Sequence, residues 1–388
     1  MKLLGERAVG GADLRVGAAS VEAERSVMIW RRGWQRRKFS AQLARGNISD
    51  MLRRVLTKKI SAPGVEEMAS VIARRHEAIH RAITPLPGSV ARDHFKALNI
   101  PGHCDGLSLL AALGRMVGNV SVTEWQMELE RGLIVNSEHE PVTADQIVRD
   151  GQQYRHLFPN VIEPEVNGAV KILHEDEALI VVNKPAPLPM HAGGRFYRNT
   201  LQHILNAAFH PQTTYPAHRL DANTTGLVLV ARTRFFAAQL QRQFAQGQVE
   251  KTYLVRVQGQ PPKDIFRCDA RISIGSGKQC SRTVDEENGL KAHTQFHVRQ
   301  RYADGTTLLE ARPLTGRTNQ IRVQLWALGF PVCGDGIYLP DKQIGATQTL
   351  AVGDPPLYLH AWQIKFAHPL SNELIEFIVP PPDSWAVF

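Results

Sequence analysis

Beyond about residue 165 the sequence is built from short runs of β-forming apolar residues, and this pattern restricts the fold more than any other feature. The predicted strands span residues 170–173, 179–182, 226–231, 251–257, 307–311, 321–325 and 375–379. Many of these runs alternate apolar with polar residues, as half-buried strands do. Helices are predicted between only some of them, notably over 200–208 and 233–246. The pattern therefore predicts an α+β fold with a mixed, mainly antiparallel sheet, and it argues against a doubly wound parallel sheet.

The first 160 residues differ in character from the rest. At about 150 residues per domain, a chain of 388 residues is expected to hold two or three domains. Apolar residues spaced by three and four predict a helix over 61–83 that ends before Pro85. A helix over 107–117, a second helix that Ser121 or Thr123 caps, and a short strand over 133–136 indicate a small α/β module. The predicted organisation is a basic extension (1–60), a helix and Pro- and Gly-rich linker (61–102), the small module (103–160) and a large α+β domain (165–388).

The positive charge of the chain is concentrated at its N-terminus. Residues 1–60 carry 14 of the 46 Lys and Arg residues and 5 of the 37 acidic residues, so they account for the whole net charge of +9. A basic arm of this kind attracts phosphate backbones without reading sequence. Three alternatives are open: a solvated tail, a stretch upstream of the true start, and an organelle transit peptide, for which Arg is common and acids are sparse but Ser is not abundant.

Several classes of protein lack their sequence signals here. The chain has no apolar run near the ~20 residues that cross a bilayer, and charges interrupt any secretory pattern at the N-terminus. The four cysteines are scattered without paired CxxC spacing, so neither a disulfide framework nor a structural zinc site is predicted. GxGxxG, GxxxxGK[ST], HExxH and GxSxG motifs are missing as well. We therefore expect a cytoplasmic protein of a reducing compartment, with no metal and no cofactor.

Three polar clusters interrupt the apolar strands and are the candidates for chemistry. Residues 218–226 read HRLDANTTG and place Asp221 in a loop that leads directly into a hydrophobic strand. Residues 250–253 carry Tyr253, and residues 314–325 carry Arg322. If 321–325 is a strand, the Arg322 cation lies beside apolar neighbours and needs a partner, for which Asp221 is the natural choice. Composition alone favours a plainer interpretation, in which an Arg–Asp pair in the loop merely fixes the turn.

These clusters resemble the motifs of the RluA-type family of RNA pseudouridine synthases. Residues 218–231 are similar to the family's HRLDxxTSG motif and the apolar strand after it, and Lys251 and Tyr253 match its KxY segment. Residues 314–325 resemble TGRTHQIRVHL, and residues 329–335 resemble the GxPxxGD continuation. Further similarity lies in 183–185 and 191–195 (NKPxG…VH) and in 359–361 and 366–369 (the LHA and HP ending). The resemblance covers roughly 165–388 with the motifs in the family's order.

The resemblance implies that the chain converts uridine to pseudouridine within RNA. The glycosidic N–C bond breaks, the uracil turns and a C–C bond forms at C5, without redox change or cofactor. The implied catalytic residues are Asp221, held close to the sugar–base bond, Tyr253, placed against the uracil, and Arg322. A dry pocket favours a neutral acid and a guanidinium favours the charged form, so we expect the cation to prevail and Asp221 to be ionised at neutral pH. Whether Asp221 attacks the base, attacks the sugar carbon or removes a sugar proton stays open.

The resemblance also implies contacts with structured RNA, either tRNA or rRNA, by a protein expected to be a monomer. The target base must leave its stack to reach Asp221, and Arg219 is expected either to fill the vacated space or to contact a phosphate. Arg317, Lys184 and Arg195 are the other predicted phosphate contacts. Residues 191–200 look somewhat like the subgroup that acts on tRNA, and ribosomal RNA remains open.

The chain departs from the family pattern at three positions. Thr225 stands where Ser is usual and keeps the hydroxyl, while Asn319 and Gln324 replace two histidines, which leaves RNA contact at those positions open. Because Asp221, Tyr253 and Arg322 are all kept, we expect an active enzyme. The rival functions are a non-catalytic RNA-binding protein that retains the fold and a carboxylate-based glycosidase, which usually needs two paired acids.

The small module over 103–160 resembles the S-four-type RNA-binding module, with two helices followed by a small strand region. That module usually carries basic residues on its second helix, whereas this helix carries Glu124, Glu128 and Glu130 beside Arg131. A module that binds RNA and a module that only packs are both open.

Overall fold

The structure is a computed structural model of the chain, and it describes residues 65–118, 120–275, 277, 281–383 and 385. The predicted basic extension, residues 1–60, lies outside the described residues. The helices are α1 (Val65–Ile83), α2 (Leu109–Met116), α3 (Val122–Glu130), α4 (Leu201–Ala208), α5 (Arg234–Ala245) and α6 (Gln320–Ala327), with a 3-10 turn at Gly102–Cys104. Among these helices none has both the length and the apolar character needed to cross a membrane.

Residues 92–161 form a small module of two helices and a three-stranded antiparallel sheet. Its strands are β1 (Arg92–Asn99), β2 (Ile134–Val135) and β3 (Gln153–Val161), in the order β1-β3-β2. Helices α2 and α3 pack against this sheet through Leu113 and Trp125. Helix α3 begins where the sequence predicts it, because Ser121 and Glu124 form a reciprocal capping box, and its chain turns at Gly132, which has a positive φ.

The linker predicted over 84–102 is wrong at residues 92–99. This segment is strand β1, which pairs antiparallel with β3. Leu98 is the one fully buried side chain of the strand, so the segment lacks the alternation by which a strand is recognised in a sequence. The segment is a strand because it pairs with β3, which begins more than 50 residues later, and its own side chains give no sign of this.

The small module contacts the large domain at the segment before α4. The His94 ring of β1 stacks on Tyr197 with 3.3 Å between ring centroids. The Glu163 carboxylate, in the chain that leaves the module, accepts hydrogen bonds from the backbone N–H groups of Tyr197, Arg198 and Asn199 at 2.8 Å each. These contacts fix the module beside residues 191–200.

The large domain is built on one ten-stranded mixed sheet. Its strands are β4 (Lys171–Glu175), β5 (Leu179–Lys184), β6 (Tyr215–Pro216), β7 (Thr225–Ala231), β8 (Glu250–Gln258), β9 (Ile265–Cys268), β10 (Thr294–Arg301), β11 (Thr306–Pro313), β12 (Leu359–Ala367) and β13 (Leu374–Ile378). The order is β4-β5-β7-β12-β8-β11-β10-β9, with β13 on β12 and β6 on β7. The β7–β12 pair is parallel and the other pairs of this sheet are antiparallel. The predicted α+β fold with a mixed, mainly antiparallel sheet is therefore confirmed.

Helices cover both faces of the sheet around β7. On one face, Ile79 of α1 and Leu205 of α4 pack against a cluster that includes Val228. On the other face, Leu240 of α5 packs against a cluster that includes Leu229. Strand β7 is buried at every residue, which explains why it appears in the sequence as a continuous apolar run. It forms a rigid base for the polar loop that precedes it.

Helix α6 corrects a second prediction, the strand over 321–325. A short apolar run does not distinguish a buried strand from a buried helix, and all of residues 320–325 are buried. Asn319 begins the helix in the left-handed conformation, with a φ of 56°, which Asn tolerates better than most residues. The direction of Arg322 is therefore set by the first turn of α6 and not by strand alternation.

Candidate active site

The loop over 218–224 presents Asp221 at the entrance to strand β7. The turn is closed by the Thr224 N–H, which donates to the Asp221 carbonyl oxygen at 3.1 Å. Asn223, which is buried, clips the loop to a distant segment: its amide donates to the Gln348 carbonyl and its oxygen accepts from the Leu350 N–H, both at 3.0 Å. The Asp221 side chain keeps 23% of its surface exposed, so its carboxylate faces an open region while its backbone is held.

Gly226 lies where this loop enters the sheet, and its backbone approaches that of β12 closely. Its φ is +110°, and a Cβ added there would lie 2.3 Å from the carbonyl oxygen of Ala361 in β12. Only Gly combines that conformation with so close an approach of two backbones. The parallel pairing of Gly226 with Ala361 therefore sets the height of the Asp221 loop above the sheet.

Arg322 lies in the first turn of α6 and is 3% exposed. Its Nη1 donates to Asp221 Oδ2 at 3.2 Å and to Asn319 Oδ1 at 3.1 Å. Its Nε and Nη2 donate to the two oxygens of Asp335 at 2.7 and 2.8 Å. Burial opposes the charge of Arg322, but its hydrogen bonds to Asp335 and the charges of Asp335 and Asp221 raise its pKa. The side chain is thus a permanent cation, and Asp221 is one of its two anionic partners.

Tyr253 reaches the same region from strand β8. Its backbone pairs with Ala361, the residue that Gly226 also pairs with, so Tyr253 lies two strands away from the end of the Asp221 loop. Burial and the nearby charge of Asp221 both raise the pKa of the Tyr253 hydroxyl. The residue is partly exposed, and its ring packs against two apolar core clusters. The structure thus brings together Asp221, Tyr253 and Arg322.

Lys184 is placed differently from the predicted phosphate contact. Its side chain is fully buried, and its ammonium donates to the carbonyl oxygens of Pro185, Leu188 and Ala222 at 2.9, 3.0 and 3.1 Å. An enclosed ammonium whose three N–H groups are already engaged offers none to a phosphate, so this prediction is wrong. Burial lowers the pKa of Lys184 to about 7, against the opposing effect of the Asp221 charge. The residue holds the end of β5 to the loop that carries Asp221.

The three other predicted RNA contacts are exposed around the site. Arg219 lies beside His191, whose pKa is lowered first by burial and then by the Arg219 charge. Arg317 is exposed on the turn before α6, where its Nε donates to the Lys291 carbonyl at 3.1 Å. Arg195 borders a cavity of about 430 Å³ that residues 347, 349 and 350–354 also line.

Asn319 and Gln324, which stand where the family has histidines, form hydrogen bonds within the protein. Gln324 is fully buried, and its amide donates to the carbonyl oxygens of Cys268, Ala270 and Ala292, at 3.3, 3.3 and 3.0 Å. Asn319 accepts from Arg322, as described above, and donates to the Tyr338 hydroxyl at 3.1 Å. Neither side chain is free to contact a ligand.

The sequence predicted no role for two further residues of this region, His360 and Asp335. Thr225 shares a hydrogen bond of 2.8 Å with His360 Nδ1, and His360 Nε2 lies 3.0 Å from the Val379 carbonyl oxygen. Since Nε2 must donate to that carbonyl, Nδ1 accepts the Thr225 hydroxyl proton, and burial lowers the pKa of His360 to about 4. Asp335 was recognised in a motif without a role. The available signal was a polar residue inside an apolar run for His360 and a charged residue between two glycines for Asp335.

The described residues contain no group of three or more His, Cys, Asp or Glu side chains arranged to hold a metal ion.

Comparison with known proteins identifies the class to which this fold and site belong. The family model described as RNA pseudouridylate synthase matches residues 178–327, a range that includes Asp221, Tyr253 and Arg322. The chain is 33% identical over 309 residues to the ribosomal large subunit pseudouridine synthase D of Nitrosomonas europaea, covering 77% of this chain and 88% of that protein. It is 32% identical over 222 residues to the dual-specificity RNA pseudouridine synthase RluA of Pasteurella multocida, covering 56% of this chain and 96% of that one. A solved structure, human RNA pseudouridylate synthase domain containing 4, is 28% identical with a TM-score of 0.45 and covers 55% of this chain and 90% of that chain.

These similarities place the chain among the RNA pseudouridine synthases, which are isomerases. It belongs to the RluA-type family, as the motifs around Asp221, Tyr253 and Arg322 indicated.

Proposed function

We propose that this enzyme isomerises specific uridines of ribosomal RNA to pseudouridine, with Asp221 as the essential reacting group. The observation that carries the proposal is the ion pair of Asp221 with a buried Arg322, close enough to Tyr253 for the Asp221 charge to raise the pKa of its hydroxyl. Such a carboxylate is oriented before the substrate arrives, which is where much of the rate enhancement of an intramolecular rearrangement arises.

The reaction needs a base that has been turned out of its stack. Tyr253 supplies a ring face against which the uracil packs, and the raised pKa of its hydroxyl keeps it a hydrogen-bond donor at neutral pH. Arg322 balances the charge of Asp221. Substrate and product are isomers: the N1–C1′ bond breaks and the C5–C1′ bond forms. The proton lost from C5 goes to solvent or to a basic group, and N1 takes up one proton in its place.

Ribosomal RNA is favoured over tRNA by the extent of the similarity. The match to the ribosomal large subunit enzyme of Nitrosomonas europaea spans 309 residues, more than the 224 residues of the range 165–388. It therefore extends into the N-terminal part of the chain, whereas the match to the dual-specificity enzyme spans 222 residues.

The proposed contacts with RNA come from Arg195, Arg219 and Arg317, whose side chains are exposed. Phosphate contacts of this kind position an RNA without reading its sequence. We assign the domains as a basic extension (1–60), helix α1 with a short connection, a module whose sheet begins at residue 92, and a catalytic domain over 165–388. The proposal includes a monomeric state and a cytoplasmic location, and it leaves open whether the small module contacts RNA or only packs.

Pseudouridine mapping of ribosomal RNA tests the proposal. RNA from cells that lack the protein is compared with RNA from cells that express the wild type, Asp221→Asn or Asp341→Asn. Asp221→Asn keeps the shape of the loop, and we expect it to bind RNA normally while losing activity by on the order of 10³-fold or more. Asp341→Asn is the matched control, because Asp341 is exposed and has a φ of 54°, which Asn also accepts.

Full modification by Asp221→Asn would refute the role of the carboxylate. A site that appears in tRNA and not in ribosomal RNA would refute the substrate while leaving the reaction in place. Unmodified RNA in every strain would favour the non-catalytic alternative.

A further inference from the structure

The catalytic cation has two carboxylate partners, and the closer one is not Asp221. Arg322 donates to Asp335 through two hydrogen bonds of 2.7 and 2.8 Å, and to Asp221 through one of 3.2 Å. The Asp335 side chain is completely enclosed, whereas that of Asp221 is 23% exposed. Paired, parallel hydrogen bonds between a guanidinium and a carboxylate are the stronger and geometrically more specific arrangement.

Asp335 is itself held in place. Its Oδ1 accepts the backbone N–H groups of Ile337 and Tyr338 at 2.9 and 3.1 Å, in addition to Nη2 of Arg322. The ring of Tyr338 lies 5.2 Å from the guanidinium carbon of Arg322. Since the acceptor cannot turn, the plane of the guanidinium is set by Asp335 and by the ring below it.

This orientation determines which edge of Arg322 faces the reacting carboxylate. With Nε and Nη2 occupied by Asp335, Nη1 is the atom directed to Asp221, and it is shared with Asn319. Asp221 is contacted by Arg322 through Oδ2 alone. A guanidinium free to turn would instead form two parallel bonds to Asp221 and would occupy both of its oxygens.

The two carboxylates also divide one positive charge. The other titratable groups near the pair are Tyr338 against Arg322, and Lys184 and Tyr253, which feel the charge of Asp221. Because Asp335 offsets part of the guanidinium charge, the attraction between Arg322 and Asp221 is weaker than in a lone Arg–Asp pair. A carboxylate that is less stabilised is a better nucleophile and a better base.

We propose that Asp335 is a positioning residue that directs a single N–H edge of Arg322 at Asp221 and limits how strongly Arg322 neutralises it. The inference rests on the proposed role of Asp221. Asp335 does not contact the reacting carboxylate. Its proposed effect on the reaction is exerted through Arg322.

The test is Asp335→Asn, measured by single-turnover kinetics on a ribosomal RNA transcript that the wild type modifies. Asn keeps one oxygen acceptor and the volume of the side chain but removes the charge. We expect kcat to fall by roughly 10²-fold, as for a 1 Å misplacement of a reacting group, with KM and RNA affinity within about twofold because the exposed RNA contacts are untouched.

A merely structural role would lower the melting temperature while the folded protein kept its kcat, and that result would overturn the inference. Asp264→Asn is the matched control, because it breaks an Arg–Asp pair with Arg301 on the surface and should change neither quantity.

A comparison in the Arg322→Gln background covers the case in which Asp335→Asn does not fold. If Asp335 acts through Arg322, adding Asp335→Asn to Arg322→Gln causes no further loss of kcat, whereas independent effects would multiply. A multiplied loss contradicts the inference. An inactive wild type contradicts the proposed function instead, so the two failures are distinguishable.

Discussion

Replacing Gly226 with Ala should damage stability and activity together, because this residue joins the reacting loop to the sheet. The new Cβ would lie 2.3 Å from the Ala361 carbonyl oxygen, whereas ordinary contact begins near 3.4 Å, so the two backbones must separate by about 1 Å. Overpacking costs about 1–3 kcal/mol, and a φ of +110° adds roughly 1–2 kcal/mol for a residue with a Cβ. We expect the free energy of unfolding to fall by about 2–5 kcal/mol.

The same displacement moves Asp221 relative to Arg322 and Tyr253. A misplacement of about 1 Å lowers the rate by roughly 10²-fold, so kcat should fall in the protein that remains folded. Urea denaturation gives the stability, and single-turnover kinetics at a temperature where the variant is folded give kcat. Gly353→Ala is the control, since its Cβ would meet open space in the exposed loop near the site. Wild-type stability and wild-type kcat for Gly226→Ala would refute the argument that the β7–β12 contact sets the height of the loop.

Two further predictions concern buried histidines. Thr225→Val leaves Nδ1 of His360 unpaired and should lower the free energy of unfolding by about 1–3 kcal/mol, whereas Thr225→Ser keeps the donor; equal stability of the two variants in urea would contradict the hydrogen bond. Burial lowers the pKa of His218 to about 3 and that of His360 to about 4, below the ordinary 6.5. As the pH falls from 6.5 towards 4 the unfolded chain therefore binds more protons than the folded one, and stability should decrease across that window. His218→Asn should weaken this dependence between about pH 7 and about pH 5, and an unchanged slope would count against the burial of a neutral imidazole.

The pairing of the site residues could be inferred from the sequence, because it follows from a general requirement. A cation embedded among apolar residues needs an anion, and this requirement connected Arg322 with Asp221 although the element that carries Arg322 was predicted incorrectly. Strand β7 could also be predicted from the sequence, because a strand that is buried on both faces consists of a continuous apolar run. Both features depend on the residues of a short segment and on nothing that lies far away.

Other features depend on partners that are distant in the sequence. Lys184 resembles a phosphate contact until Ala222, 38 residues later, supplies one of its three acceptors. Strand β1 has a single buried side chain and is defined by its pairing with β3. The requirement that a buried cation has an anionic partner is met equally well by Asp335 and by Asp221. The sequence therefore could not show that the Arg322 guanidinium is shared between the two carboxylates, and the structure was needed to reveal it.

The position of β12 in the sheet affects how the enzyme folds during its synthesis. This strand follows β8 in the chain only after β9, β10, β11 and α6, yet it lies in the middle of the sheet, between β7 and β8. Until residues 359–367 have emerged from the ribosome, the strand that bears Tyr253 has no neighbour linking it to the strand that follows Asp221. Translation therefore delivers Asp221, Tyr253 and Arg322 before it delivers the strand that joins two of the segments carrying them, so we expect a chain that stops before β12 to leave these residues unassembled.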